Sequence, residues 1–176
     1  MSLLEEISER REEIAKKWCD LVFSTYPVET QKVWKSNKDR FTNPVGAAIR
    51  KVTAQLLDLV IDWDNGDAIA ECLDELVKIR TVQDFAPSKS LSFALELKKL
   101  IREQFFEKLK KENSLDELLA FETRIDNLGL IAFDVYTKNR DLISQMRIDE
   151  VKRAYHMILR RANKIEDASA KGAGQV

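Results

Sequence analysis

WCDLVFSTYPVETQKVWKSNKDRFTNPVG, residues Trp18–Gly46, is the stretch of sequence that decides the fold. It holds two of the three Trp and two of the three Pro in a chain of 176 residues, and it is the one long break in a helical pattern. Pro27 predicts the end of a helix, because proline cannot donate a hydrogen bond in the helical ladder. Asn43 followed by Pro44 predicts a new start, because Asn is a favoured N-cap and Pro suits the first helical position.

On the N-terminal side, apolar residues recur at helical intervals from Leu4 to Val22. Ser2 and Glu5 have the spacing of a capping box, in which each side chain binds a free backbone amide of the first turn. These features predict one helix from Ser2 to about Tyr26. Residues 28–37 predict a short second helix with Glu29 near its positive end.

On the C-terminal side, apolar residues at intervals of three and four predict three amphipathic helices. The first runs from Pro44 to about Asp62. The second is marked by apolar residues at 69–77 and ends before Asp84, and the third is marked by apolar residues at 91–109. A turn at 64–67 and a loop at 84–90 separate them.

The last segment begins after Asn113 with a second capping-box spacing, Ser114 and Glu117, and continues to about Ile165 with one Gly and no Pro. A periodic pattern of this length is typical of a coiled coil or an extended bundle helix. Its distal half must bury its apolar stripe, and a second copy of the chain is the simplest candidate. The sequence therefore predicts an all-α helical bundle in one domain, residues 1–165, with a disordered tail at 166–176.

Composition excludes several functional classes. The chain has 29 basic and 30 acidic residues, a net charge of -1, which gives no global basic field for nucleic acid. No apolar run reaches the roughly 18 residues that a membrane span needs, so no membrane insertion is expected. The first turn is charged and has no apolar signal core, which predicts a cytoplasmic protein. Cys19 and Cys72 lie on apolar helical positions and favour buried free thiols over a disulfide.

The sequence contains little that indicates a catalytic or metal-binding site. His156 is the only histidine, and one His with two distant Cys cannot form a typical zinc site. A haem ligand at His156 has no second candidate beside it, and no cofactor is expected. The run Asp62–Asp67 departs from the calcium-loop spacing, because Gly66 falls at position five rather than six. No nucleotide-binding, hydrolase or zinc-protease motif occurs, so the sequence predicts a protein that is not an enzyme.

Aromatic residues concentrate in residues 18–46. They are Trp18, Phe23, Tyr26, Trp34 and Phe41. Core packing explains such a concentration, and so does the wall of a small-molecule pocket or a docking surface for a partner. Lys38, Asp39 and Asn43 are candidates for additional polar contacts. The predicted ligand-binding or docking residues are Trp18, Tyr26, Thr30, Trp34, Lys35, Asn37 and Phe41.

Three runs carry a resemblance to a known family: Thr25–Thr30 (TYPVET), Lys35–Phe41 and Asn43–Gly46 (NPVG). Ile125–Gly129 (IDNLG) and Ala132–Tyr136 (AFDVY) fit the same family. Over about residues 8–155 the chain resembles the N-terminal domains of RsbT co-antagonist proteins, called RsbRD N-terminal domains.

The resemblance implies an all-α sensor module for stress signalling, shaped like a globin but without haem. Such a module forms a homodimer, signals along its C-terminal helix and contacts a protein regulatory partner. In stress-response proteins it precedes a STAS domain that binds a switch kinase. The residues after Ile165 are too few for a STAS domain, which predicts a standalone sensor. The alternative is a small-molecule or cofactor-binding accessory protein associated with a redox complex.

Overall fold

The computed structural model describes residues 1–37, 39–82 and 85–173, and every regular element in these ranges is an α-helix. The all-α helical bundle predicted from the sequence is therefore confirmed. The elements are α1 (Leu3–Glu9), α2 (Arg11–Ser24), α3 (Val28–Ser36), α4 (Pro44–Asp62), α5 (Gly66–Val82), α6 (Pro87–Glu112) and α7 (Leu115–Ala173).

The first predicted helix is two helices, α1 and α2, which meet at Arg10. Arg10 leaves helical geometry with φ −101° and ψ 14°. Its guanidinium contacts α6, donating to the Gln104 side chain at 2.7 Å and lying 5.4 Å from the centre of the Phe105 ring. The Arg10 guanidinium also bonds locally to the Glu13 carboxylate, at 3.1 and 3.2 Å. The prediction of one helix was wrong, because helical periodicity does not reveal the tertiary contacts of Arg10 with α6. The capping box of Ser2 and Glu5 is confirmed, with both reciprocal bonds present.

The predicted restart at Asn43–Pro44 is also confirmed. The Asn43 side-chain oxygen accepts a hydrogen bond from the Gly46 amide at 3.0 Å, and Pro44 is the first residue of α4. Helix α4 ends at Asp62, and Trp63 follows with a left-handed backbone, φ 50°. The side chain of Asn65 then accepts from the Ala68 amide at 3.0 Å in the first turn of α5.

The start of α6 and the bonding of Glu117 in α7 differ from the sequence prediction. Helix α6 begins at Pro87, inside the predicted loop, because proline fits the first helical turn; Gln83 and Asp84 of that loop lie outside the described residues. Helix α7 does start directly after Ser114. However, the Glu117 carboxylate, which the sequence paired with Ser114 in a capping box, accepts a hydrogen bond from the Leu3 amide at 2.6 Å. Glu117 therefore stabilises the first turn of α1.

The core surrounds α2, which packs on α4 and α6, while α4 also packs on α5. Trp18 of α2 is fully buried, and its indole N–H donates to the Phe93 carbonyl of α6 at 2.8 Å. This bond satisfies the one polar atom of the largest core side chain. The first part of α7 adds buried apolar residues to the same core: Leu118, Phe121, Ile125, Leu128 and Ala132.

Contacts divide the chain into two units, Met1–Thr137 and Lys138–Val176. The second unit is the distal part of α7, whose side chains are exposed almost throughout residues 141–164. Residues 174–176 of the predicted tail lie outside the described residues. The single-domain boundary at 165 and the disordered tail at 166–176 stay predictions.

The close approach of Gly46 to Asn43 generates a test of the α4 cap. A Cβ at Gly46 would lie 2.6 Å from the Asn43 side-chain oxygen, so an added methyl group must displace the cap. We expect Gly46→Ala to lower the free energy of unfolding by about 1 kcal/mol, measured by urea denaturation.

Gly66→Ala is the matched control, because a Cβ there meets open space at the first turn of α5. It should leave stability unchanged or raise it slightly. In an Asn43→Ala background, Gly46→Ala should cost nothing, since the displaced group is gone. An equal loss with and without the Asn43 side chain would show that the cap is not the cause.

Candidate functional site

The site predicted from the sequence is the corner between α2 and α4, which contains α3. The structure separates its seven residues. Trp18 is a core residue below the corner, and Tyr26 is buried at the end of α2. Three members, Thr30, Trp34 and Asn37, are half-buried, and two members, Lys35 and Phe41, are exposed.

An aromatic cluster fastens α3 to the end of α2. The Trp34 ring of α3 lies 4.6 Å from the centre of Tyr26, nearly edge-on, and 5.6 Å from Phe23. The Phe85 ring also packs edge-on to Tyr26, with 5.0 Å between the ring centres. Edge-to-face pairs of this kind add about 0.5–1.5 kcal/mol each beyond the apolar area they bury. Packing therefore explains most of the aromatic concentration seen in the sequence.

Arg80 of α5 lies beneath this cluster and is fully buried. Its guanidinium donates to the Val22 carbonyl at 3.4 Å and to the Thr25 hydroxyl at 2.7 Å, at the end of α2. It also donates to the Lys89 and Ser90 carbonyls of α6, at 2.9 and 3.1 Å. Burial lowers the pKa of Arg80 from its usual value, although an arginine stays protonated at neutral pH.

Arg80 is not among the site residues predicted from the sequence. The signal was present, because Arg80 continues the spacing of the buried residues Leu73, Leu76 and Val77 on α5. A charged residue in an apolar stripe predicts a buried polar contact. The neighbouring Tyr26 hydroxyl is buried without a hydrogen-bond partner among the described residues, and burial raises the pKa of Tyr26.

The loop between α3 and α4 is organised by side chains of Asn and Asp. The Asn37 side-chain oxygen accepts from the Asp39 amide, and an Asp39 carboxylate oxygen accepts from the Phe41 amide, both at 2.9 Å. The Asn43 amide group donates to the Asn37 carbonyl at 2.7 Å. These bonds assign Asn37 a structural role and leave Phe41 at the loop tip, 93% exposed. Lys38 lies outside the described residues.

A groove of about 680 Å³ runs beside the corner, between α2, α3 and α4. Its apolar surface comes from one face of α2 together with one alanine of α4. Of the seven predicted site residues, Lys35 is the one that lines this groove. The other lining residues are Glu12, Ala15, Lys16, Cys19, Asp20, Phe23, Arg50 and Ala54.

The groove carries three cations and two carboxylates, and no ion pair within 4 Å joins any of them among the described residues. Arg50 is held in place, because it donates to the Trp34 carbonyl and its guanidinium lies 5.3 Å from the centre of the Phe23 ring. Lys35 directly follows Trp34 in α3. The groove therefore combines an apolar floor with two cations at one wall.

Two thiols flank α4, and the pKa of each is raised, which makes the thiol less reactive. Burial raises the pKa of Cys19, at the floor of the groove, to about 11, and burial raises the pKa of Cys72 to about 11 as well. A raised pKa keeps the thiol protonated at neutral pH, and the thiolate is the nucleophile. Among the described residues, no group of three or more His, Cys, Asp and Glu side chains is placed to hold a metal ion.

Residues 12–151 match the family described as RsbT co-antagonist protein rsbRD N-terminal domain. The chain belongs to the RsbRD N-terminal domain family. No curated protein and no solved structure matches the chain. The globin-like shape implied by the resemblance thus stays a prediction. Within the described ranges, no helix has both the length and the apolar character needed to cross a bilayer.

A second surface of this RsbRD N-terminal domain lies along α6 and the first part of α7. Ion pairs join Lys98 to Asp126 at 2.8 Å and Arg102 to Glu122 at 2.6 Å, which shows that the two helices run antiparallel. Leu95 of α6 and Leu130 of α7 lie one helical turn from Lys98 and Asp126, on the same faces of the two helices as that ion pair. Both are 66% exposed, and Phe133 beside them is 54% exposed. We call Leu95, Leu130 and Phe133 the α6–α7 patch.

The buried thiols give a pH-dependent prediction for stability. The pKa of Cys19 is raised in the folded domain from its ordinary value of 9.0. The contribution of this thiol to the free energy of unfolding is therefore fully present below pH 9 and is lost as pH rises through about 11. Between pH 8 and 10.5 we expect this thiol to remove about 2 kcal/mol from the free energy of unfolding.

The measurement is urea denaturation at both pH values for the wild type and for Cys19→Ala. The variant lacks the titrating group, so its stability should fall less over the same interval. The difference between the two falls is the quantity compared, which cancels the titration of lysines and tyrosines. Equal falls would contradict the shifted thiol.

Proposed function

We propose that this domain is a non-enzymatic regulatory module of the stress-signalling type, which works as a homodimer and through contacts with other proteins. Membership of the RsbRD N-terminal family supports the regulatory role. The buried ionisable groups support a role without catalysis, because Arg80 bonds to backbone carbonyls and to the Thr25 hydroxyl, and both thiols are held protonated. Free thiols favour the reducing environment of the cytoplasm, where we place the protein.

The α6–α7 patch is the observation that carries the dimer. An antiparallel helix pair with one exposed apolar face is half of a four-helix bundle. A twofold axis places the same patch of two copies face to face, so each leucine is buried against apolar side chains of the other copy. The ion pairs beside the patch, Lys98–Asp126 and Arg102–Glu122, form a polar rim, as protein interfaces require.

Light scattering of the full chain tests the dimer. We expect a mass of twice 20.3 kDa for the wild type at micromolar concentration. Leu130→Glu should give the monomer mass, because two carboxylates would be buried at the twofold axis without partners.

Val33→Glu is the matched control, since Val33 is a 54% exposed aliphatic residue on α3, away from the patch. It should remain a dimer. Circular dichroism checks that all three proteins stay helical. A wild-type monomer with full helicity would refute the dimer, and so would a Leu130→Glu protein that keeps the dimer mass.

The groove supports a second candidate function, the binding of a small ligand. Its apolar floor of Ala15, Phe23 and Ala54 suits an apolar body, and Lys35 with Arg50 suits a negative group at one end. An anionic amphiphile such as a medium-chain carboxylate combines both features. Pockets of several hundred Å³ with a few placed polar groups are typical of small-molecule sites.

Calorimetric titration with decanoate tests this site. We expect binding to the wild type and an affinity about tenfold weaker for Lys35→Glu, since reversing one charge near the carboxylate changes the interaction by about that factor. Lys32→Glu is the control, because Lys32 lies exposed on the same helix but does not line the groove. Equal weakening by both variants would show a general charge effect and would contradict a site at the groove.

A further inference from the structure

The two units of the chain differ in charge, although the whole chain is nearly neutral. Residues 1–137 contain 20 basic and 25 acidic side chains, whereas residues 138–176 contain nine basic and five acidic ones. The bias is strongest at residues 151–164, where five basic residues occur without a single Asp or Glu. These residues are Lys152, Arg153, Arg160, Arg161 and Lys164. The distal part of α7 is therefore a basic helix.

The same part of α7 carries an apolar stripe with the spacing of a coiled coil. Ile148, Val151, Tyr155, Ile158 and Ala162 are separated alternately by three and four residues, the a and d positions of a heptad. All five are exposed, with Val151 at 69% and Ile158 at 63%. An apolar seam of this kind needs a second helix to cover it.

Charges beside the seam select the partner helix in a coiled coil. In this heptad Arg147 and Arg161 occupy g positions and Lys152 occupies an e position. A parallel second copy would set Arg147 against Lys152, and an antiparallel copy would set Arg147 against Arg161. Both arrangements bring like charges together, which disfavours a second copy of this segment and favours a helix with carboxylates at its own flanking positions.

We propose that residues 147–162 dock an acidic amphipathic helix of another protein, with Ile148, Val151, Tyr155 and Ile158 forming the seam and Arg147, Lys152 and Arg161 pairing its carboxylates. This inference rests on the proposed regulatory function in one respect, since it names the chemistry of the protein partner. It does not depend on the dimer, which uses the α6–α7 patch. The two ideas therefore fail independently.

A lipid surface fits the seam less well than a helix. Helices that lie on membranes present a wide apolar face with Trp, Phe and Leu. This seam contains no Trp or Phe, and Leu159 at an e position is the one Leu in residues 147–162. Ile148, Val151 and Ile158 of the seam are β-branched. Such side chains keep one preferred rotamer in a helix and pack into the holes of a facing helix.

Two designed peptides test the docking. Each has about four heptads with Ile at a and Leu at d, and they differ in carrying either Glu or Lys at every e and g position. Fluorescence anisotropy of the labelled peptide is measured while the full chain is titrated. We expect the Glu peptide to bind and the Lys peptide to bind at least tenfold more weakly, because its charges repel Arg147, Lys152 and Arg161.

Two double variants of equal charge change locate the site. Lys152→Glu with Arg161→Glu alters the seam flanks, whereas Arg153→Glu with Arg160→Glu alters f positions on the opposite side of the helix. We expect the first double variant to bind the Glu peptide about tenfold more weakly than the wild type does, and to bind the Lys peptide instead. The second should keep the wild-type affinity within about twofold.

Three outcomes would overturn the proposal. Equal weakening by both double variants would mean a general charge effect. Equal binding of the two peptides would mean that the flanks do not select the partner. Absence of peptide binding, together with binding to vesicles of phosphatidylglycerol and phosphatidylcholine or with self-association abolished by Tyr155→Glu, would assign the seam to a membrane or to a second copy. Circular dichroism of each variant confirms that α7 stays helical.

Discussion

The hydrogen bonds of the buried Arg80 guanidinium hold together the part of the molecule on which the groove depends. They reach two elements at once, the end of α2 and the start of α6. The last carbonyls of a helix have no intrahelical partner and form the negative end of its dipole. The Val22 carbonyl, which already accepts from the amide and the hydroxyl of Thr25, lies at that end of α2 and accepts from Arg80 as well. The partial charges of the backbone therefore compensate a cation that has been removed from water.

The position of Arg80 determines what lies above it. Its guanidinium carbon is 5.4 Å from the centre of the Tyr26 ring, and the centre of the Trp34 ring lies 4.6 Å from the same ring. The Trp34 carbonyl accepts from Arg50, which joins α3 to α4. Lys35 follows Trp34 directly, so its position at the groove wall depends on a chain of contacts that begins at a buried arginine of α5.

Features encoded by neighbouring residues could be predicted from the sequence. The capping box of Ser2 and the cap of Asn43 are interactions between residues three apart, and both were found where the sequence placed them. The contacts that join Arg10 to Gln104 and Arg80 to Thr25 could not be located in this way, since these partners are 94 and 55 residues distant along the chain. Helical periodicity indicates which face of a helix is buried, but it does not say which other helix covers that face.

The candidate site shows the same limit of local patterns. The aromatic residues of the opening stretch were visible in the sequence, but most of them pack against each other, and the groove takes Lys16 from α2, Lys35 from α3 and Arg50 from α4. Charge behaves in a similar way at a larger scale. A net charge of -1 describes no real surface of this protein, because it averages an acidic helical domain with a basic helix. Electrostatic attraction acts over about a Debye length, roughly 8–10 Å in physiological salt. A partner at the distal part of α7 therefore responds to the basic residues between 147 and 164 and not to the chain average.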